Sequence, residues 1–136
     1  MEKEVVKVNV VAGVVIKKDN KYLLVQEGVG KIRGLWNFPA GRVDVGDTIE
    51  ETAIKEAKEE SGYDVELIRK IDIFQDTANE AVKHAFEVKI IGGELEFPED
   101  EIMNARWFYY EEILNMSDKL RNVWIIKAIE KLESKL

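Results

Sequence analysis

Residues Pro39–Tyr63 read PAGRVDVGDTIEETAIKEAKEESGY. Thr48 followed by Glu51 fits a capping box, and Gly62 fits a helix stop. Between them Ile49, Ala53 and Ala57 recur at i, i+4 and i+8, which predicts a helix over Thr48–Ser61 with one apolar stripe. On that helix Glu56, Glu59 and Glu60 stand at i, i+3 and i+4. They project from one face, within an arc of about 100°. Two local rules are broken. Glu56 and Glu60 are like charges one turn apart, which costs about 0.2–0.5 kcal/mol. Glu59 and Glu60 also lie in the last turn, where the helix dipole favours cations. A local conflict without local benefit points to a functional site. A hard divalent cation resolves it, because Mg²⁺ takes oxygen ligands and is commonly shared with substrate phosphates. The plain alternative is a solvated acidic face. Lys55 and Lys58 lie beside the acids, and Glu51–Lys55 is a favourable pair.

Outward from this helix the chain alternates between strand and turn signals. Val5–Ile16 is rich in valine and predicts a strand. Lys18–Lys21 reads as a turn, and Tyr22–Gln26 as the returning strand. Glu27–Gly34 holds three glycines and reads as a loop, with a short strand at Trp36–Phe38 ending at Pro39. Tyr63–Phe74 and Val82–Ile91 predict strands. Gly92-Gly93 predicts a turn, Glu94–Phe97 a return from it, and Ala105–Tyr110 a further strand. Ser117 or Asp118 can cap a last helix through about Lys131, buried through Leu120, Val123, Trp124, Ala128 and Leu132. Many strands with two main helices predict a mixed α/β domain, and the 136-residue length predicts one domain, 1–136.

Composition narrows the chemistry. Hydrophobic residues make up 46% of the chain, which argues against disorder. The net charge of −7 disfavours a nucleic-acid polymer or an anionic membrane as partner. There is no cysteine, which excludes disulfides, thiolate zinc and a Cys nucleophile, and is compatible with the cytoplasm. A single histidine, His84, excludes a multi-His metal site and reads as an ordinary strand residue. The longest apolar stretch, near Val10–Ile16, is far short of a membrane span. The Met1–Glu4 start has no basic region leading into a hydrophobic run, so no secretory signal is expected.

The acidic segment resembles the Nudix box. That pattern is Gly, five residues, Glu, seven residues, then Arg-Glu-hydrophobic-any-Glu-Glu-any-Gly-hydrophobic. Gly41 begins it here, Asp47 takes the first Glu position and Lys55 the Arg position. Glu56, Ala57, Glu59, Glu60, Gly62 and Tyr63 fill the rest, and the spacing holds over 23 residues. Trp36–Gly41 is similar to the family's lead-in, and Ala105–Phe108 with Glu111-Glu112 to a common C-terminal segment. The resemblance implies the Nudix α/β/α sandwich with a mixed sheet. It implies hydrolysis of a nucleoside diphosphate linked to another group, by water attack on phosphorus. It implies Mg²⁺ as cofactor, with Mn²⁺ second, a small nucleotide as partner, and a homodimer that nothing in this chain decides.

Carried over by position, Glu56, Glu59 and Glu60 are metal ligands, with the backbone carbonyl of Ala40 as a further ligand. Glu59 and Glu60 are the catalytic candidates, Glu59 first. An acid outside the box is open as general base, among Glu99, Asp100 and Glu101. Arg33, Arg42 and Glu101 are candidates to touch substrate. Gly41, Asp47 and Lys55 support the site. Three positions depart from the pattern. Asp47 is one methylene short, Lys55 lacks a planar bidentate fork, and Ala57 is small for its slot. Trp36, Phe38 and Tyr63 are expected in the core.

For substrate, the small size looks like nucleoside-triphosphate enzymes of the family. ADP-ribose members often carry a Pro about 15 residues past the box, and Asp76–Glu80 has none. An ADP-ribose or nucleotide-sugar pyrophosphatase is the alternative. A non-catalytic nucleotide-binding Nudix module is a third reading, although such modules usually lose box carboxylates.

Overall fold

A computed structural model describes residues 4–134. Residues 1–3, where the N-terminal reading begins, and 135–136 lie outside that range. The elements run β1 (Asn9–Lys18), β2 (Lys21–Glu27), β3 (Trp36–Asn37), β4 (Ala40–Arg42), α1 (Ile49–Ser61), β5 (Tyr63–Asp76), β6 (Ala81–Gly93), β7 (Ile102–Tyr109), α2 (Tyr110–Leu114) and α3 (Trp124–Glu133).

β1 is the hub because its apolar run is buried on both faces. It pairs antiparallel with β2 through Lys17↔Tyr22 and with β4 through Gly13↔Ala40. It pairs parallel with β6 from Asn9↔Ala81 to Ile16↔Val88. The sheet order is β3-β2-β1-β6-β5, with β4 on β1 and β7 on β2. The Asp19-Asn20 turn joining β1 to β2 has φ of 52° and 64°, the left-handed pair that suits a tight hairpin.

Side-chain alternation along the strands builds the two outer layers. Ala12, Val14 and Ile16 of β1 and Leu23 and Val25 of β2 face Ala53 and Ala57 of α1. Val15, Tyr22 and Leu24 face the other way, onto Trp124, Ile125, Ala128, Ile129 and Leu132 of α3. The result is the expected α/β/α sandwich with a mixed sheet. Trp36, Phe38 and Tyr63 lie in the core as expected. Among the described residues no helix is long and apolar enough to cross a membrane.

Several expected boundaries move. Val5–Val8 has strand propensity but no partner strand, and Val5 and Val6 are exposed. β4 is an additional strand. Glu94–Phe97 forms no strand, and β6 instead runs on to Gly93, paired with Tyr63. Tyr110 opens α2 rather than closing β7. The last helix begins at Trp124, whose N–H is taken by Asn122 Oδ1 at 3.0 Å. Ser117–Lys119 is a separate single turn, and Val123 points outward.

Helix α1 starts where Thr48 Oγ1 accepts the Glu51 N–H at 3.0 Å. It stops at Gly62, whose φ is 81°. A Cβ on Gly62 would meet the Glu94 carbonyl at 2.2 Å, whereas one on Gly46, with φ of 95°, would meet nothing. Gly46→Ala is therefore expected to cost only left-handed strain, about 1–2 kcal/mol. Gly62→Ala should cost clearly more by urea denaturation. Equal costs would contradict the packing at the end of α1.

Candidate active site

The site begins with a glycine that is not in the acidic segment. A Cβ on Gly13 would come within 2.6 Å of the Trp124 ring and 2.9 Å of Ala40 Cβ. Glycine there lets Trp124 and Ala40 close on β1, and Gly13↔Ala40 pairing fixes β4. The last turns of α1 then meet β4. Glu60 Oε1 accepts the Ala40 N–H at 3.0 Å. The Glu56 carboxylate lies over Gly41, where an added Cβ would stand 2.3 Å from Glu56 Cδ.

Burial and like charge act together on these acids. Glu60 is pushed up to about 9, by burial first. The Ala40 N–H opposes that shift, while the charges of Glu27, Glu56 and Glu101 add to it. Glu56 is pushed up to about 7 by burial and then by Glu59, with Lys55 opposing and Glu101 and Asp44 adding. Burial also raises Glu27, against the Asn37 hydrogen bond and the charges of Arg121 and Lys83. Glu59 stays exposed on the same helix.

The sequence candidates separate accordingly. Ala40, Gly41, Glu56 and Glu60 come together, with Glu59 at their edge. Of the three acids after Pro98, Glu101 is the one whose charge acts on both Glu56 and Glu60. Its backbone is anchored, since its carbonyl accepts the Gly28 N–H at 2.8 Å. Lys55 Nζ stands 3.6 Å from Asp44 and 3.8 Å from Asp47, so it secures the loop before α1. Arg33 is exposed and reaches the Gly28 carbonyl at 3.4 Å. Arg42 lies at the rim of a cleft beside Ala40 and Gly41. His84 is buried, and among the described residues its Nδ1 has no hydrogen-bond partner, so it departs from the ordinary strand residue expected.

Four residues escaped sequence reading. Glu27 ends a buried strand, and nothing in its neighbours marks it. Asn37 joins the two halves of the site: its Oδ1 accepts Trp124 Nε1–H at 3.0 Å and its Nδ2 faces Glu27 at 3.4 Å. Lys83 and Arg121 line the same cleft, about 230 Å³, from β6 and the turn before α3.

The donor chemistry suits a hard cation. Every candidate ligand is an oxygen, and three acids crowd the half-buried Glu60 without a lysine or arginine bonded to it. As they stand, no three His, Cys, Asp or Glu side chains among the described residues form a metal-holding group.

A sequence-family model for the NUDIX domain matches residues 7–130. A Caenorhabditis elegans protein whose name classes it as a nudix hydrolase is 34% identical over 128 residues, 90% of this chain and 35% of its own length. The ADP-ribose pyrophosphatase of Methanocaldococcus jannaschii is 31% identical over 90 residues, 63% of this chain and 53% of that one. The structure of a NUDIX hydrolase from Nitrosomonas europaea superimposes with a TM-score of 0.82 at 26% identity, covering 94% of this chain and 90% of that chain. This chain belongs to the Nudix hydrolase superfamily. Further relatives carry names as different as 8-oxo-dGDP phosphatase, in Mus musculus (31% identical), and NAD-capped RNA hydrolase, in Vibrio atlanticus (35%). The chain spans 31% to 53% of the lengths of these four curated relatives.

The clash at Gly41 involves the movable end of a side chain. Gly41→Ala is expected to fold with stability changed by no more than about 1 kcal/mol while the Glu56 carboxylate swings off β4. A crystal structure of the variant with Glu56 still over residue 41 would contradict this.

Proposed function

We propose that residues 1–136 act as one Nudix domain that hydrolyses a nucleoside diphosphate linked to a second group. The observation carrying this is the half-buried acidic cluster on β4, with Glu56 over Gly41 and Glu60 on the Ala40 amide, beside a cationic cleft. An acidic cluster and an anionic diphosphate attract each other only through cations. Mg²⁺ is the first candidate and Mn²⁺ the second, held by Glu56, Glu59, Glu60 and the Ala40 carbonyl. Bound there, a divalent ion neutralises phosphate oxygens and lowers the pKa of a coordinated water.

The protein's own part is positioning and proton transfer. Gly41 leaves room for the Glu56 carboxylate to lie against the β4 backbone. Glu59 is exposed on the acidic face and can take a proton from the attacking water. Glu101 is the second candidate for that role, because its loop is tied to Gly28 and its charge reaches Glu56 and Glu60. Arg42 at the cleft rim is a candidate phosphate contact, and Arg33 a weaker one. Asp47 and Lys55, with Asp44, brace the loop that leads into α1.

The absence of a proline at Asp76–Glu80 favours a nucleoside triphosphate as substrate. The relatives give better support to a diphosphate with a different second group. ADP-ribose and NAD, named for two of them, both join an AMP unit through a diphosphate to a second ribose unit. ADP-ribose and nucleotide sugars therefore come first, and nucleoside triphosphates second. The retained carboxylates argue against a purely binding module.

The test is product release from ADP-ribose, a nucleotide sugar, nucleoside triphosphates and 8-oxo-dGTP, with Mg²⁺ and with EDTA. Release is expected with Mg²⁺ only. Glu59→Gln should lower kcat/KM by about 10²–10⁴ without unfolding. Release that persists in EDTA, or in Glu59→Gln at the wild-type rate, would contradict the proposal.

A further inference from the structure

Lys83 is an expensive residue for a fold to keep. Its side chain is only 6% exposed, and burying an ammonium costs heavily unless its donors are matched. They are poorly matched here. Its ion-pair partner, Asp76 Oδ2, is 3.4 Å away. That same oxygen already receives Asn79 Nδ2–H and Asn122 Nδ2–H, each at 2.8 Å. The Trp124 ring, 5.3 Å from Nζ, offers a π face and no acceptor oxygen. A lysine has three donors, so capacity remains. Lys83 and Arg121 line one cleft together with Glu27; the arginine's charge opposes the lysine's and the Glu27 charge favours it, but among the described residues no ion pair joins Glu27 to either cation. Two cations side by side are stabilised by an oxygen acceptor between them. At about 230 Å³ the cleft is below the ~300–1,000 Å³ of whole-ligand pockets. It therefore has room for one terminal group of a substrate whose phosphates lie at Ala40-Gly41.

We propose that Lys83 is a specificity-determining residue. Its ammonium, backed by Arg121, takes an acceptor oxygen of the substrate group that enters the cleft, a nucleobase keto oxygen or an oxygen of a further phosphate. This rests on the hydrolase reading above for where the phosphates lie, and adds what the other end of the substrate must present. No bond is made or broken at Lys83. It selects by leaving a buried ammonium unmatched when the acceptor is missing.

Binding of AMP, IMP and ADP with Mg²⁺ present, followed by calorimetry and with the ADP arm checked for hydrolysis, tests it. IMP replaces the amino group of AMP by a keto oxygen, and ADP adds a phosphate. The wild type is expected to prefer IMP or ADP over AMP by about tenfold in Kd, the scale of one charge-assisted hydrogen bond. A preference for IMP identifies the base as the source, and one for ADP identifies the phosphate. Lys83→Met should remove that preference. Lys83→Gln, made in parallel, serves if the Met variant fails to fold. Equal affinities for all three in the wild type, or a preference that survives substitution, would overturn the proposal. Turnover with Mg²⁺ of any member of the substrate panel above by the same preparation separates the two ideas. Turnover without preference removes the Lys83 role alone, and preference without turnover removes the hydrolase reading alone.

Discussion

The Glu60 carboxylate sits against the Ala40 amide at 3.0 Å, and the acidic half of α1 is tied to the sheet through that contact. Ala40 is there because β4 pairs with β1 across Gly13, and Gly13 is glycine because Trp124 and Ala40 leave no room for a Cβ. Trp124 in turn is fixed by Phe38, edge-on at 5.3 Å, and by the Asn37 side chain. Packing from α3 is thus transmitted through the sheet to a hydrogen bond on the opposite helix. Glu56 depends on the same arrangement, because only a glycine at 41 lets its carboxylate lie over β4.

The charge distribution follows from what such a site must do. A chain of net charge −7 is a poor host for an anionic substrate unless the repulsion is met locally. Here it is met in two places. The acids of α1, with Glu27 and Glu101, make a region that calls for cations. Lys83, Arg121 and Arg42 make an adjacent region that calls for oxygen acceptors. Asn37 bridges them, with its oxygen on Trp124 and its nitrogen facing Glu27. The two regions share the β4 backbone.

How much of this was readable in the sequence depended on whether a signal was local. Helix α1 was legible because its cap, stripe and stop all lie within its own residues. The mixed sheet and its outer helices were also legible. β4 was not, because a three-residue AGR strand has no periodicity and exists only through pairing with β1. Val5–Val8 misled for the converse reason: valine propensity forms no strand without a partner. Val123 fits a helical stripe on paper, but Asn122 starts α3 one residue later. Within the site, Glu56, Glu59 and Glu60 were visible as a spacing. Glu27, Asn37, Lys83 and Arg121 were invisible, since their meaning comes from strands brought together by the fold. The sequence pointed to a bland strand residue at His84, and burial left its Nδ1 without a partner instead.

The central claim is that the α1 carboxylates and the β4 backbone form one cation site. Substoichiometric Mn²⁺ added during a ¹H–¹⁵N NMR titration reports it directly, because the paramagnetic ion broadens the nearest amides first. The account predicts that the amides of residues 40–42 and 56–61 broaden before any others, and that Glu60→Gln weakens the effect. Broadening that starts instead at the acids of 94–100, with 40–42 unaffected, would contradict it.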